Sequence, residues 1–280
     1  MKVAEVRYGL VLVLLATLLS GCVVSSSVDL PDGAVLVDAP DQQQALLVTL
    51  RQKKSELTSF RALARARLEQ DGKTNSFREL VAVNPPSDLR LEALPLNSAY
   101  TLQLLVCNKD RTLFLDVEKH NAFEDSSGDR LIHRVTKIPL DREAFLSLLL
   151  GRVPEQILDR DDLKIFKVGE DFLLSDAKGM NRLTINAKTL LVTNTEIRSV
   201  FDQSVLARIS THDQHKTSGI LTPRNVVLEL GDQKSKLNLN FAPPQINTKL
   251  KPELFTAEIP ANFKAYKGED FTEKGITHDL

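Results

Sequence analysis

The sequence predicts an α+β domain built mainly on antiparallel sheet. From Phe60 apolar residues recur at every second position, the period of a strand with one buried face. Turn signals then follow at hairpin spacing: Asp71-Gly72, Asn84-Pro85-Pro86, Leu94-Pro95-Leu96-Asn97 and Asn108-Lys109-Asp110. Two segments of helical pattern, one ahead of the strands and one midway, supply the α part.

The chain starts with a leader. Lys2 and Arg7 precede Leu10 to Leu19, an apolar run broken only by Thr17. A bilayer span needs about 20 apolar residues, so this run reads as the core of a signal peptide. No Ala-x-Ala pattern follows; the run ends in Leu19-Ser20-Gly21-Cys22. That tetrapeptide resembles the lipobox of bacterial lipoproteins. The resemblance implies removal of residues 1–21, diacylglycerol on the Cys22 thiol and an acyl group on its amine. Two or more buried chains anchor a protein stably, so the mature chain should stay on a membrane. Val23 follows Cys22, in place of the aspartate that resembles an inner-membrane retention signal in enterobacteria. By that family rule the anchor belongs in the inner leaflet of the outer membrane, with the protein facing the periplasm.

Charge excludes one partner class. The 280 residues carry 36 Lys+Arg and 37 Asp+Glu with the signs interspersed, so no basic face is offered to nucleic acid. With Cys22 lipidated, Cys107 has no cysteine to pair with, and its place at the end of an apolar run marks a buried structural thiol. Stability must come from packing.

Residues 22–40 hold three serines, two prolines and Gly33 with weak periodicity, and read as a lipidated tether. Asp41 to Thr58 follows as a helix with Leu46, Leu47, Leu50 and Leu57 in an apolar stripe and Asp41 placed to cap it. In the first strand Phe60, Ala62, Ala64, Ala66 and Leu68 alternate with a charged face that holds Arg61, Arg65 and Arg67. Further strands run through Phe77 to Val83, Leu89 to Ala93, Thr101 to Cys107 and Thr112 to Val117, making a five-strand meander. The three alanines leave room for either a close-packed helix or a ligand. Asp141 to Leu150 is the second helix, apolar on nearly every side, stopped by Gly151 and followed by a turn from Pro154. Strands return at Leu163 to Val168, Phe172 to Ser175, Arg182 to Asn186 and Leu190 to Ile197. Residues 200–219 show only a short strand signal around Leu206 and Ile209. Asn225 to Leu230 and Lys236 to Phe241 form a closing hairpin.

This order resembles the LolA/LolB superfamily of periplasmic lipoprotein carriers and receptors. The matching pieces are Ser59-Phe60-Arg61-Ala62-Leu63-Ala64-Arg65-Ala66, Leu94-Pro95-Leu96, Phe145 to Pro154, and Leu254-Phe255-Thr256-Ala257-Glu258-Ile259-Pro260 with Ile246 and Asn247 ahead of it. Together they cover about residues 41–265, leaving 266–280 as a polar tail. The lipobox makes the chain more similar to the LolB side. Asn97 departs from the usual family glycine, and residues 200–219 have no family counterpart. The resemblance implies an incomplete, half-open β-barrel with helices as a lid over an apolar cavity. Its inner surface should carry Phe60, Ala62, Ala64, Ala66, Leu89, Leu91, Leu102, Leu104, Leu113, Leu115, Phe145, Leu148 and Leu149. Strand alternation equally predicts that these residues fill a plain core.

Motifs for catalysis are missing: no Gly-x-Ser-x-Gly, His-Glu-x-x-His, phosphate loop or Gly-x-Gly-x-x-Gly. His212, Asp213 and His215 have metal-like spacing but read as a solvated loop without a third partner. Asp159-Arg160-Asp161-Asp162 lacks the glycine and spaced oxygens of a calcium loop. The strand-one arginines read as a solubility surface before a headgroup site. The expectation is a non-catalytic lipoprotein without cofactor or metal that binds acyl chains of a lipid or lipoprotein. The rival expectation is a scaffold lipoprotein that uses the same fold to hold an envelope protein partner.

Overall fold

A computed structural model describes residues 30–126, 129–231 and 234–267. The expected signal peptide, the expected lipobox with Cys22, and most of the expected polar tail lie outside the described residues.

The strands, in chain order, are β1 (Val35–Leu36), β2 (Phe60–Gln70), β3 (Lys73–Asn84), β4 (Asp88–Leu94), β5 (Gln103–Cys107), β6 (Thr112–Asp116), β7 (Asn121–Asp125), β8 (Lys164–Val168), β9 (Asp171–Ser175), β10 (Asn181–Ile185), β11 (Val192–Arg198), β12 (Val205–Thr217), β13 (Ile220–Leu230), β14 (Ser235–Phe241), β15 (Gln245–Ile246) and β16 (Lys264–Lys267). The helices are α1 (Pro40–Ser55), α2 (Asp129–Thr136), α3 (Arg142–Leu149) and α4 (Glu155–Leu158).

All the strands join one sheet in the order β1-β8-β9-β10-β11-β12-β13-β14-β2-β3-β4-β5-β6-β7-β16, with β15 paired to β2. The sheet is unclosed: β1 and β16 end it on opposite sides. Each neighbouring pair is antiparallel except β7 with β16, which runs parallel. The two halves of the chain meet at β14 and β2, where Leu239 stands opposite Ala66 and Leu237 opposite Leu68. The predicted α+β class with an antiparallel sheet is the observed one.

Several boundaries move. Val35 and Leu36 pair with Lys167 and Phe166 of β8, so this part of the expected tether belongs to the sheet. Helix α1 opens at Pro40 and its N-cap is Ala39, which makes no side-chain bond; Asp41 sits in the first turn instead, where its charge suits the helix dipole. Strand β12 runs 13 residues through the stretch expected to be a loop around His212. Its partner β13 pairs with it from Ala207 to Thr217, which satisfies a backbone that composition alone leaves ambiguous. Strand β7 and helix α2 gave no earlier signal.

A main apolar cluster lies on the face of the sheet that the helices cover. Phe60, Ala62, Ala64, Ala66, Val81, Leu89 and Phe241 from the sheet meet Leu50 and Leu57 of the α1 region and Phe145, Leu146, Leu148 and Leu149 of α3. Ion pairs bind the helices to one another. Arg51 of α1 reaches Glu155 at 3.1 Å and Asp159 at 2.7 Å, and Lys54 reaches Glu143 at 2.6 Å and Glu155 at 2.9 Å. Lys54 holds the Glu155 carboxyl below its ordinary range. A smaller cluster lies on the outer face of β5 to β7, where Ala257, Ile259 and Phe263 cover Leu104, Val106, Leu113, Leu115 and Ala122. Hydrogen bonds fasten this C-terminal segment across the sheet. Arg90 donates to the Leu254 carbonyl and Asn108 to that of Phe255, each at 3.2 Å, and Arg111 donates to that of Ala257.

Candidate functional site

Between the sheet and the helices lies a half-open cavity of about 540 Å³. Seven strands that are consecutive in the sheet, from β13 through β14 and β2 to β6, supply its wall. Leu68, Phe77, Leu91, Leu105, Phe114, Leu228, Leu237 and Leu239 line it on that side. Phe145 and Leu149 of α3, with Val135 to Ile138 at the end of α2, line it on the other.

Local sequence explains the placement of α3. Asp141 caps it by accepting from the Ala144 amide at 2.7 Å, which satisfies an otherwise unpaired donor. Gly151 ends it at φ +67, and its missing Cβ leaves room for Pro223, whose Cγ would lie 2.9 Å from that atom. The helix is thereby stopped against β13, with Phe145 and Leu149, one turn apart, on the cavity side.

Polar groups gather at one end. Exposed Asp71, Lys137 and Lys234, with Gln70, Ser235 and Lys236, mark the mouth. Lys236 is bonded to Glu229 at 2.7 Å, which raises its pKa from the ordinary value. Farther along the wall stand Glu79 and Gln103, both half-buried. Burial pushes the Glu79 carboxyl up to about 8, with the Glu92 carboxylate adding to the shift.

Of the residues expected on the inner surface, Leu91, Phe145 and Leu149 line the cavity. Phe60, Ala62, Ala64, Ala66, Leu89 and Leu148 face the same side but are packed into the main cluster, each at most 5 % exposed. The space left by the alanines is therefore filled by core, and the open volume begins beyond them at Leu68. Leu102 precedes β5, donates its amide to the Ala93 carbonyl at 2.8 Å and packs partly buried against the core.

Leu104, Leu113 and Leu115 are corrected outright: they lie on the outer face. Register decides this. Leu104 stands opposite Glu92, and Leu113 opposite Val106, which itself faces Arg90. The inner positions are Leu105, opposite Leu91, and Phe114, opposite Leu105. Strand β5 reads Gln-Leu-Leu-Val-Cys without alternation, because both of its faces are covered, so period two cannot assign them. The segments at 135–138 and the β13–β14 leucines also join the cavity; the latter alternate visibly, whereas nothing local marks the former.

His212, Asp213 and His215 lie on strand β12, not in a loop, and His215 Nε2 donates to the Phe241 carbonyl at 2.9 Å. Among the described residues no group of three or more His, Cys, Asp or Glu side chains is placed to hold a metal ion. Cys107 is fully buried and outside any disulfide. No helix of the described residues is long and apolar enough to cross a membrane.

No family model matches the chain, and no curated protein matches it in sequence. Solved structures do match. A LolA-superfamily protein from Nitrosomonas europaea superposes with a TM-score of 0.51 at 15% identity, over 77% of this chain and 97% of its own. The fold is LolA-like. A DUF1329-family protein from Desulfovibrio piger gives 0.53 at 12% identity, over 77% of this chain and 96% of its own. A putative outer-membrane lipoprotein-sorting protein domain from Vibrio parahaemolyticus gives 0.51 at 9% identity, over 76% and 97%. At these identities the LolA-like likeness is one of fold, and the unclosed antiparallel sheet with few helices is what the structures share.

Proposed function

We propose that this chain is a periplasmic lipoprotein, anchored through Cys22 in the outer membrane, that holds acyl chains of a lipid or lipoprotein for transfer or insertion at that membrane. The cavity carries the reading. About 540 Å³, with leucine and phenylalanine together the commonest lining residues and most polar groups gathered at the mouth, is the size and character of a small-ligand pocket. On this reading the sheet is an incomplete barrel over which α1 to α4 form the lid, and the tether is residues 22–34, since Val35 enters the sheet.

The mechanism is non-covalent and needs no catalytic group. An acyl chain leaving water gains about 0.8 kcal/mol per methylene, on the order of 10 kcal/mol gross for a long chain. A membrane offers the same gain, so the direction of transfer is set by the small difference between cavity and bilayer. Movement of α2 and α3, which close one side of the cavity, would admit the chain. The open volume favours this carrier over the scaffold reading, for which a filled core beside an apolar docking patch is the expected form.

Native mass spectrometry of residues 22–280 with Cys22→Ala, a chain that holds every described element, tests the binding. Co-purified acyl species that decline in Ala93→Trp, which fills the cavity, support the carrier; a lipid-free protein that takes up no fatty acid overturns it. Radioactive palmitate supplied to cells tests the anchor: label on the wild type and none on Cys22→Ala is expected, and an unlabelled wild type contradicts it.

A further inference from the structure

We propose that Glu79 and Gln103 form a hydrogen-bonding station within the cavity that receives an uncharged polar group of the ligand: an ester or amide carbonyl, or a hydroxyl. The inference rests on the acyl-binding reading and adds the chemistry of the ligand that the cavity selects.

The register places the station. Ala64 stands opposite Glu79, Glu79 opposite Ala93, and Ala93 opposite Gln103, so the four form one row across β2 to β5. Neighbouring strands lie about 4.8 Å apart, which puts the Glu79 and Gln103 backbones about 10 Å apart. Only the methyl of Ala93 stands between them, and both longer side chains line the cavity. A ligand atom above Ala93 is within reach of both.

Neither side chain has a hydrogen bond or ion pair among the described residues. Both are half-buried with their polar ends on the open volume, so a ligand group that enters there can take over the hydrogen bonds that water otherwise makes, whereas leucine at either position would build a wholly apolar wall. The groups at the mouth have a solvent outlet; these two face the cavity.

Their chemistry selects the guest. Burial keeps Glu79 protonated at neutral pH, so it offers an O–H donor, and the Gln103 amide offers two N–H donors and an oxygen acceptor. A carbonyl takes the donors, and a hydroxyl uses both kinds of group. A ligand carboxylate gains nothing here, because no cation pairs with Glu79. The charged groups around Glu79 are the Glu92 carboxylate, tied to Arg90 at 2.7 Å, and Asp71, Lys137, Lys234 and Lys236 at the mouth. A fatty-acid carboxylate is best served at that mouth, beside the lysines.

The test compares 1-palmitoylglycerol with palmitate, each displacing a fluorescent palmitoyl probe from residues 22–280 bearing Cys22→Ala. Glu79→Leu and Gln103→Leu should each weaken 1-palmitoylglycerol by about five- to tenfold and leave palmitate within twofold. Glu79→Gln, which keeps a donor and the shape, should bind the glyceride like the parent chain. The parent's affinity for the glyceride should fall as pH rises past 8, and that of Glu79→Gln should not. Leucine variants that bind the glyceride as tightly as the parent, or that lose both ligands alike, overturn the station while the carrier reading stands. A parent chain that binds neither ligand overturns the carrier reading itself.

Discussion

Leu105 stands opposite Leu91 on the cavity wall, while its neighbour Leu104 stands opposite Glu92 on the outer face. Two adjacent leucines thus belong to different apolar compartments. The next strand repeats the division, with Phe114 inside and Leu113 outside. Leu113→Ala should therefore destabilise the protein by about 2–4 kcal/mol and leave acyl binding unchanged. Phe114→Ala should enlarge the cavity and alter the preferred chain length as well as costing stability. Chemical unfolding together with a chain-length series of fatty acids separates the two.

Gly151 couples the end of α3 to β13. Its positive φ disfavours any side chain, and a Cβ would meet Pro223 at 2.9 Å. The Gly151 carbonyl also accepts from the Val192 amide at 3.0 Å. Gly151→Ala should cost about 1–3 kcal/mol, through αL strain and the displaced proline, and a thermal melt reads the loss directly.

Glu79 sets a pH dependence of stability. Unfolded, its carboxyl ionises near 4.5; folded, burial moves this to about 8. Between those values the folded state holds the extra proton, so stability falls as pH rises through the window and levels off above it. The shift corresponds to an effect of order 3 kcal/mol, allowing for the water that reaches Glu79 through the cavity. Glu79→Gln should remove this contribution, so its stability relative to wild type should grow between pH 5 and pH 8.5 in denaturant titrations at the two values.

Tyr266 closes the far edge of the sheet. Its ring stacks on Phe123 with centroids 5.0 Å apart and planes 10° from parallel, across the parallel β7–β16 pair. Tyr266→Ala should lower stability by about 1–2 kcal/mol and loosen β16 from β7, exposing an unpaired edge. Faster amide exchange at Phe123 and Glu124 checks this.

Much of this arrangement was legible in the sequence where a strand has one wet face. Phe60 to Leu68 alternates with arginines that remain exposed, and the β13–β14 hairpin shows the same period. Helix α3 was legible in the apolar run of Phe145 to Leu150 and the stop at Gly151, whereas the cap by Asp141 is seen only in the structure. Legibility failed where both faces are covered: the run Leu104 to Cys107 has no period because the C-terminal segment seals its outer side, a contact nearly 150 residues away in the chain. The alanine row left a close-packed helix and a ligand both open, and the packed core is the one that fills the space, since the volume above a strand depends on what the opposite layer brings. Glu79 was hidden because a lone carboxyl in a strand looks like a solvent-facing position until register turns it inward.

A photoreactive palmitate, cross-linked to the protein and mapped by peptide mass spectrometry, tests the central claim most directly. Adducts are expected on Leu91, Leu105, Phe114 and Phe145, the residues that enclose the cavity from both sides. Adducts confined to Leu104, Leu113, Leu115 and Phe263, or none at all, would show that the acyl chain does not enter the cavity.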